Sequence, residues 1–126
     1  MSQPFSLVFH DSEVHAVHAA DGAACVRFSA AHVRRGADTA RGYLGGVEIA
    51  ATGAAWRGEV APGIGRVVAG RLRRDGVDLP PAIPSRLAGA LSLELRFANG
   101  TQLSIDAATI EIRVDDGARF KEDFSC

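Results

Sequence analysis

Lysine occurs once in this chain, at Lys121, and tryptophan, tyrosine and methionine once each. A single Trp and a single Tyr leave the arginines without the interleaved aromatics on which the bases of a single-stranded nucleic acid stack. The formal net charge of -1 supplies no bulk attraction to nucleic acid or to an anionic membrane either. Cys25 and Cys126 are the two cysteines, too few for a disulfide framework and without the spacing of a zinc site. No stretch approaches the roughly 20 consecutive apolar residues of a membrane-crossing helix. The opening Met1 to Ser6 lacks the basic start and continuous apolar run of a secretory signal, so the expected compartment is the cytoplasm, with reduced thiols. Neither Gly45-Gly46 nor Gly63-Ile64-Gly65 leads into the Gly-Lys-Ser/Thr of a phosphate loop, and both read as turn glycines. Heptads, tandem repeats and low-complexity blocks are also missing.

What the chain does have is alternation. Leu91, Leu93, Leu95 and Phe97, then Leu103 and Ile105, are all odd-numbered, so on paired strands they share one face if the loop between them has odd length. A two-residue Asn99-Gly100 loop would split this set. A three-residue loop of Ala98, Asn99 and Gly100 sets Phe97 opposite Thr101, Leu95 opposite Leu103 and Leu93 opposite Ile105. Gly100 then takes the left-handed position of a type I turn followed by a G1 bulge. Ser92, Glu94, Arg96, Gln102 and Ser104 fall on the solvated face. The same rule applied to Val14, Ala16, Val26 and Phe28 predicts a three-residue loop of Ala20, Asp21 and Gly22, with Val14 facing Phe28 and Ala16 facing Val26.

Phe5 to Phe9 reads as a first strand, and the change of apolar parity from Phe28 to Ala31 and Val33 as a bulge in a continuing strand. Arg35 to Gly46, glycine-rich and without periodicity, reads as a surface loop. Val47 and Ile49 open a further strand with a break near Gly53 before Trp56. Pro62 and Gly63 mark a turn, Val67 to Leu72 is strand-like, and Asp75-Gly76 ends it. Val77 to Pro84 is too rich in proline for a central strand and reads as an extended connector. Ile110, Ile112 and Val114 reverse the parity of Leu103 and Ile105, which requires a bend or bulge within Asp106 to Thr109. Phe120 and Phe124 offer anchors for the tail. The 126 residues suffice to bury about two-thirds of the unfolded surface. The expectation is one all-β domain over residues 1–126, an antiparallel sandwich or flattened barrel of about eight short strands.

His10, Asp11 and Ser12 are the residue types of a hydrolase triad, and Glu13 adds a second carboxylate. Adjacent side chains on an extended chain diverge, however, whereas a nucleophile and its base must converge. His10, Asp11 and Glu13 remain the catalytic candidates. His10, His15 and His18 raise the question of a metal, but His15 and His18 project to opposite faces of a strand, so no metal site and no cofactor is expected. Cys25, between Ala24 and Val26, reads as a small core or interface residue. Arg71 and Arg73 share a face with Leu72 pointing away, a short ridge able to bind phosphate or carboxylate, or else a solvated edge.

Phe9-His10-Asp11-Ser12-Glu13-Val14, the Phe-Ala-Asn-Gly-Thr-Gln-Leu-Ser-Ile hairpin and Arg119-Phe120-Lys121-Glu122-Asp123-Phe124 are together similar to small bacterial proteins of unknown function. The resemblance implies an all-β fold and a bacterial origin, which the preponderance of arginine, alanine and glycine also suits; it transfers no site residue. Two functions remain as expectations. One is a non-catalytic binding or interaction module that self-associates, without nucleic acid or membrane. The other is a small hydrolase or isomerase using His10, Asp11 and Glu13.

Overall fold

The computed structural model describes residues 5–35, 40–58, 64–115 and 120–122, and these contain strands and no helix. The strands are β1 (Phe5–Leu7), β2 (Glu13–Ala20), β3 (Ala23–Arg35), β4 (Arg41–Leu44), β5 (Val47–Thr52), β6 (Ala55–Arg57), β7 (Gly65–Arg74), β8 (Val77–Asp78), β9 (Ala82–Ile83), β10 (Ser85–Phe97), β11 (Gln102–Val114) and β12 (Phe120–Glu122). All pairings are antiparallel. The fold class is as expected, but the strands number twelve among the described residues rather than about eight, and β3, β10 and β11 each run for 13 residues. The expected breaks in parity are register shifts inside continuing strands, which change a strand's phase without ending it.

The β10–β11 hairpin has the derived register. Leu95 pairs with Leu103 and Leu93 with Ile105. Phe97 closes the loop by donating its N–H to Thr101 O at 2.9 Å, and Gly100 takes φ 90°. Asn99 Oδ1 accepts from the Thr101 N–H at 2.9 Å. Leu91, Leu93, Leu95, Phe97, Leu103 and Ile105 are all buried. A register shift between Ala88 and Leu91 on β10 lies opposite the point where the buried face of β11 passes from Ala107 to Ile110.

The β2–β3 hairpin departs from expectation. Ala20 pairs with Ala23, so the loop is the two-residue Asp21-Gly22, with φ 53° and 73°. Those paired positive values match the twist of the flanking strands. Val14 still faces Phe28, but Val17, not Ala16, faces Val26, because His15 is an extra residue between Val14 and Ala16. Val17 packs against the core.

Hydrogen bonding closes a circuit through β3, β2, β7, β10, β11 and β5 and back to β3. The β2–β7 link is a seam of two residue pairs, Glu13 with Arg66 and Val14 with Gly65, so the sheet folds back on itself without becoming a regular barrel. Inside it lie Val26, Phe28, Ile49, Leu72, Leu93, Phe97, Ile105 and Ile112. β3 belongs to two sheets. Its first half lies between β2 and β5, whereas Ala31 to Arg35 pairs with β4 and β1, and these continue to β12 and β9. The bend at Ser29-Ala30 is the anticipated bulge, and Ala31, His32 and Val33 beyond it are buried in succession.

Part of the segment read as a loop is therefore β4; it pairs with β3 continuously from Arg41 to Leu44, Leu44 being buried. The proline-rich connector is extended as expected, contributing β8 to the edge of β7 and β9 to β1. Phe120 is anchored against Phe5, with ring centroids 5.4 Å apart. Pro62, Gly63, Phe124 and Cys126 lie outside the described residues.

Candidate functional site

The turn from β1 to β2 and the second half of β3 bring together residues that are far apart in sequence. The Ser12 N–H donates to Phe9 O at 3.2 Å, closing a tight turn in which Asp11 has φ 68°. The turn is clamped to β7: the Asp11 N–H donates to Val67 O at 2.9 Å and the Val67 N–H to Ser12 O at 2.8 Å. Ser12, 0% exposed, is not part of an exposed triad but a stitch. Its Oγ accepts the backbone N–H of His32 at 2.8 Å and donates to Val8 O at 2.8 Å. A hydroxyl that both donates and accepts satisfies two buried backbone groups at once.

His32 is 5% exposed. Its Nδ1 lies 3.2 Å from His10 O, a carbonyl that can only accept, so the proton sits on Nδ1. The ring meets His10 edge-on at 5.7 Å between centroids and Tyr43 at 5.2 Å. Side-chain donor atoms of His10, Asp11 and His32 all lie within 4.8 Å of one another. His10 and Asp11 are exposed, and Asp11 Oδ1 is 3.7 Å from Arg66 Nη1. Two of the sequence-derived catalytic candidates thus converge, with His32 in place of Glu13. Glu13 starts β2, exposed, and pairs with Ala30 and Arg66 through its backbone. His15, at the bulge, and His18 are both exposed. His32 had one sequence signal, its place between Ala31 and Val33, a polar residue inside an apolar run on a strand covered from both sides.

Arg71 and Arg73 flank the buried Leu72 on β7 and share one counterion. Arg71 Nη2 donates to Asp78 Oδ2 at 3.4 Å and Arg73 Nε to Asp78 Oδ1 at 3.2 Å. Arg71 also borders a cleft of about 300 Å³ on the outer face of β7, β10 and β11, where Glu94, Arg96, Gln102 and Ser104 join it. Neither Glu94 nor Arg96 forms a side-chain hydrogen bond or ion pair among the described residues.

Cys25 faces outward from β3 at intermediate exposure, since Ala24 and Val26 take the inward positions; of the core and interface placements expected for it, the core one is ruled out. Burial pushes its thiol above the ordinary value and neighbouring Glu48 adds to this, outweighing Arg27, so the thiol is not activated as a nucleophile. Glu48 accepts from Arg27 at 2.9 Å and pairs with Arg113 at 2.8 Å. Comparison with protein-family models, with curated proteins and with solved structures finds no match to this chain.

Proposed function

We propose that this protein is a non-catalytic binding module that takes a small polar ligand bearing an anionic group into the cleft over β7, β10 and β11. The observation that carries the reading is Arg96, a guanidinium with no ion partner among the described residues, beside a cleft of about 300 Å³ that also has Arg71 on its rim. A guanidinium fork matches carboxylate or phosphate through paired hydrogen bonds, and Gln102 and Ser104 add neutral donors and acceptors that fix orientation. Chemical-shift titration with inorganic phosphate, citrate and a nucleoside monophosphate is the test. Saturable shifts at Arg71, Arg96, Gln102 and Ser104 that vanish in Arg96→Glu support the reading. Flat titrations at millimolar probe, or shifts unchanged in Arg96→Glu, refute it.

On the same reading the protein is bacterial and cytoplasmic, binds no nucleic acid, and self-associates through an exposed edge. β8 pairs only with β7 among the described residues and carries Val77, which is 65% exposed. Sedimentation at high micromolar concentration should show a dimer that Val77→Lys returns to monomer, and a wild-type monomer would remove self-association from the proposal. No helix among the described residues is long and apolar enough to cross a membrane.

The second reading, a hydrolase or isomerase, draws on the convergence of His10 and Asp11. Against it, these two residues and Glu13 line none of the five clefts described on the surface. Turnover of an ester or a keto sugar that is lost in His10→Ala would favour this second reading over the first.

A further inference from the structure

We propose that His10, Asp11 and His32 form a three-ligand site for a divalent first-row transition-metal ion such as zinc, with a fourth position open to water or an exogenous ligand. The site shares no residue with the cleft on β7, β10 and β11 and does not depend on it. Two imidazoles and one carboxylate are a donor set of intermediate softness that suits zinc and its neighbours, and three protein ligands leave a position free.

The best evidence is the state in which His32 is held. Its Nδ1 lies 3.2 Å from His10 O, which can only accept, so with Nδ1 donating there, Nε2 is the ring nitrogen left to offer a metal. Metal-bound histidines characteristically donate their other ring N–H to a carbonyl or carboxylate, which sets tautomer and orientation. The rest of His32 is equally constrained, its main-chain N–H on Ser12 Oγ and its ring against Tyr43. One ligand is therefore rigid and buried while the other two, on an exposed turn, can adjust. Donor atoms up to 4.8 Å apart lie farther from one another than the roughly 3.3 Å of a tetrahedral site with metal–ligand bonds of about 2.0–2.1 Å. Metal binding therefore requires the exposed His10 and Asp11 side chains to rotate inward toward His32.

Arg66 competes with the metal. Its guanidinium lies 3.7 Å from the Asp11 carboxylate and occupies the charge that a cation would use. Both partners are solvent-exposed, so the pair is weak and Arg66 can turn away. This supplies an asymmetric test, because removing Arg66 should strengthen metal binding, whereas removing a ligand weakens it.

The experiment is calorimetric titration of the full chain with Zn²⁺, paired with Co²⁺ titration read by visible absorption. The expected result is one equivalent bound, with affinity falling at least about tenfold in His10→Ala and in Asp11→Asn, and rising in Arg66→Ala. His15→Ala, His18→Ala and Cys25→Ser should bind as the parent does. His32→Ala removes a buried ring and can fail to fold, so the exposed His10 and Asp11 variants carry the decision. Absence of Co²⁺ bands and of Zn²⁺ heat at micromolar protein overturns the proposal. Binding that survives both His10→Ala and Asp11→Asn, or that is lost with His15, His18 or Cys25, overturns it equally.

Discussion

The two long hairpins solve one geometric problem in different places. In β10–β11 the odd residue that keeps both apolar faces aligned sits in the turn, where Gly100 absorbs it at φ 90°. In β2–β3 the turn has the even, two-residue form and the odd residue is His15, in the strand. Side-chain parity reports only that an odd residue exists; it does not say where. The placement has consequences. A bulge in the turn leaves an uninterrupted ladder from Leu91–Ala107 to Arg96–Gln102, and that β10–β11 face becomes a cleft floor. A bulge in β2 locally bends the strand that also forms the narrow seam with β7, beside the turn that holds His10, Asp11 and Ser12.

The largest effect expected from breaking this comparison is at Leu95, paired with Leu103 on the buried face. Leu95→Ala should cost about 2–5 kcal/mol in denaturant unfolding, against about 0.5 kcal/mol or less for its neighbour Arg96→Ala. Equal costs would mean the face is misassigned. Next come the turns: Gly100→Val should lose about 1 kcal/mol or more through its positive φ, and Gly22→Val, at φ 73°, should behave alike. If Gly22→Val leaves the melting temperature unchanged, the two-residue turn is wrong. A smaller contrast sharpens the position of the bulge. Val17→Ser should destabilise more than Ala16→Ser, because Val17 packs on the core, whereas a loop of Ala20-Asp21-Gly22 would reverse the order.

The smallest effect concerns Glu48, whose carboxylate joins Arg27 of one hairpin to Arg113 of the other. Burial opposes its charge, but the Cys25 thiol and the guanidiniums of Arg27 and Arg113 outweigh burial and hold its carboxyl below the ordinary value. A lowered carboxyl contributes stability in full above its unfolded-state value of about 4.3 and loses it as pH falls through the folded-state value. Glu48→Gln should therefore cost about 0.5 kcal/mol at neutral pH, given solvent screening of two half-exposed arginines. Unfolding curves of parent and variant should converge in acid; a gap that persists at low pH would assign the loss to packing.

The candidate site was half visible in the chain. His10 and Asp11 stand in the sequence as chemically capable neighbours, and on an extended strand their side chains would diverge. They converge because the Asp11 N–H and Ser12 O are tied to Val67 on β7, which fixes a turn with φ 68° at Asp11. His32 could not be connected to them by spacing, since its approach depends on β3 leaving one sheet for another at Ser29-Ala30. The Arg71/Arg73 ridge was legible as a shared face, but its neutralisation by Asp78 required the connector to fold back as β8.

Local chemistry sufficed for whatever depends on period two and on the turn preferences of single residues: the all-β class, the β10–β11 register, the break at Gly53 and the extended proline segment. Those properties are decided within a few residues of chain. The location of the second bulge, the path of β3 between two sheets, the outward position of Cys25 and the meeting of His10 and Asp11 with His32 depend on pairings between distant strands. Such pairings are chosen by which combined set of apolar faces closes around one interior, and that choice exists only once the whole chain is folded.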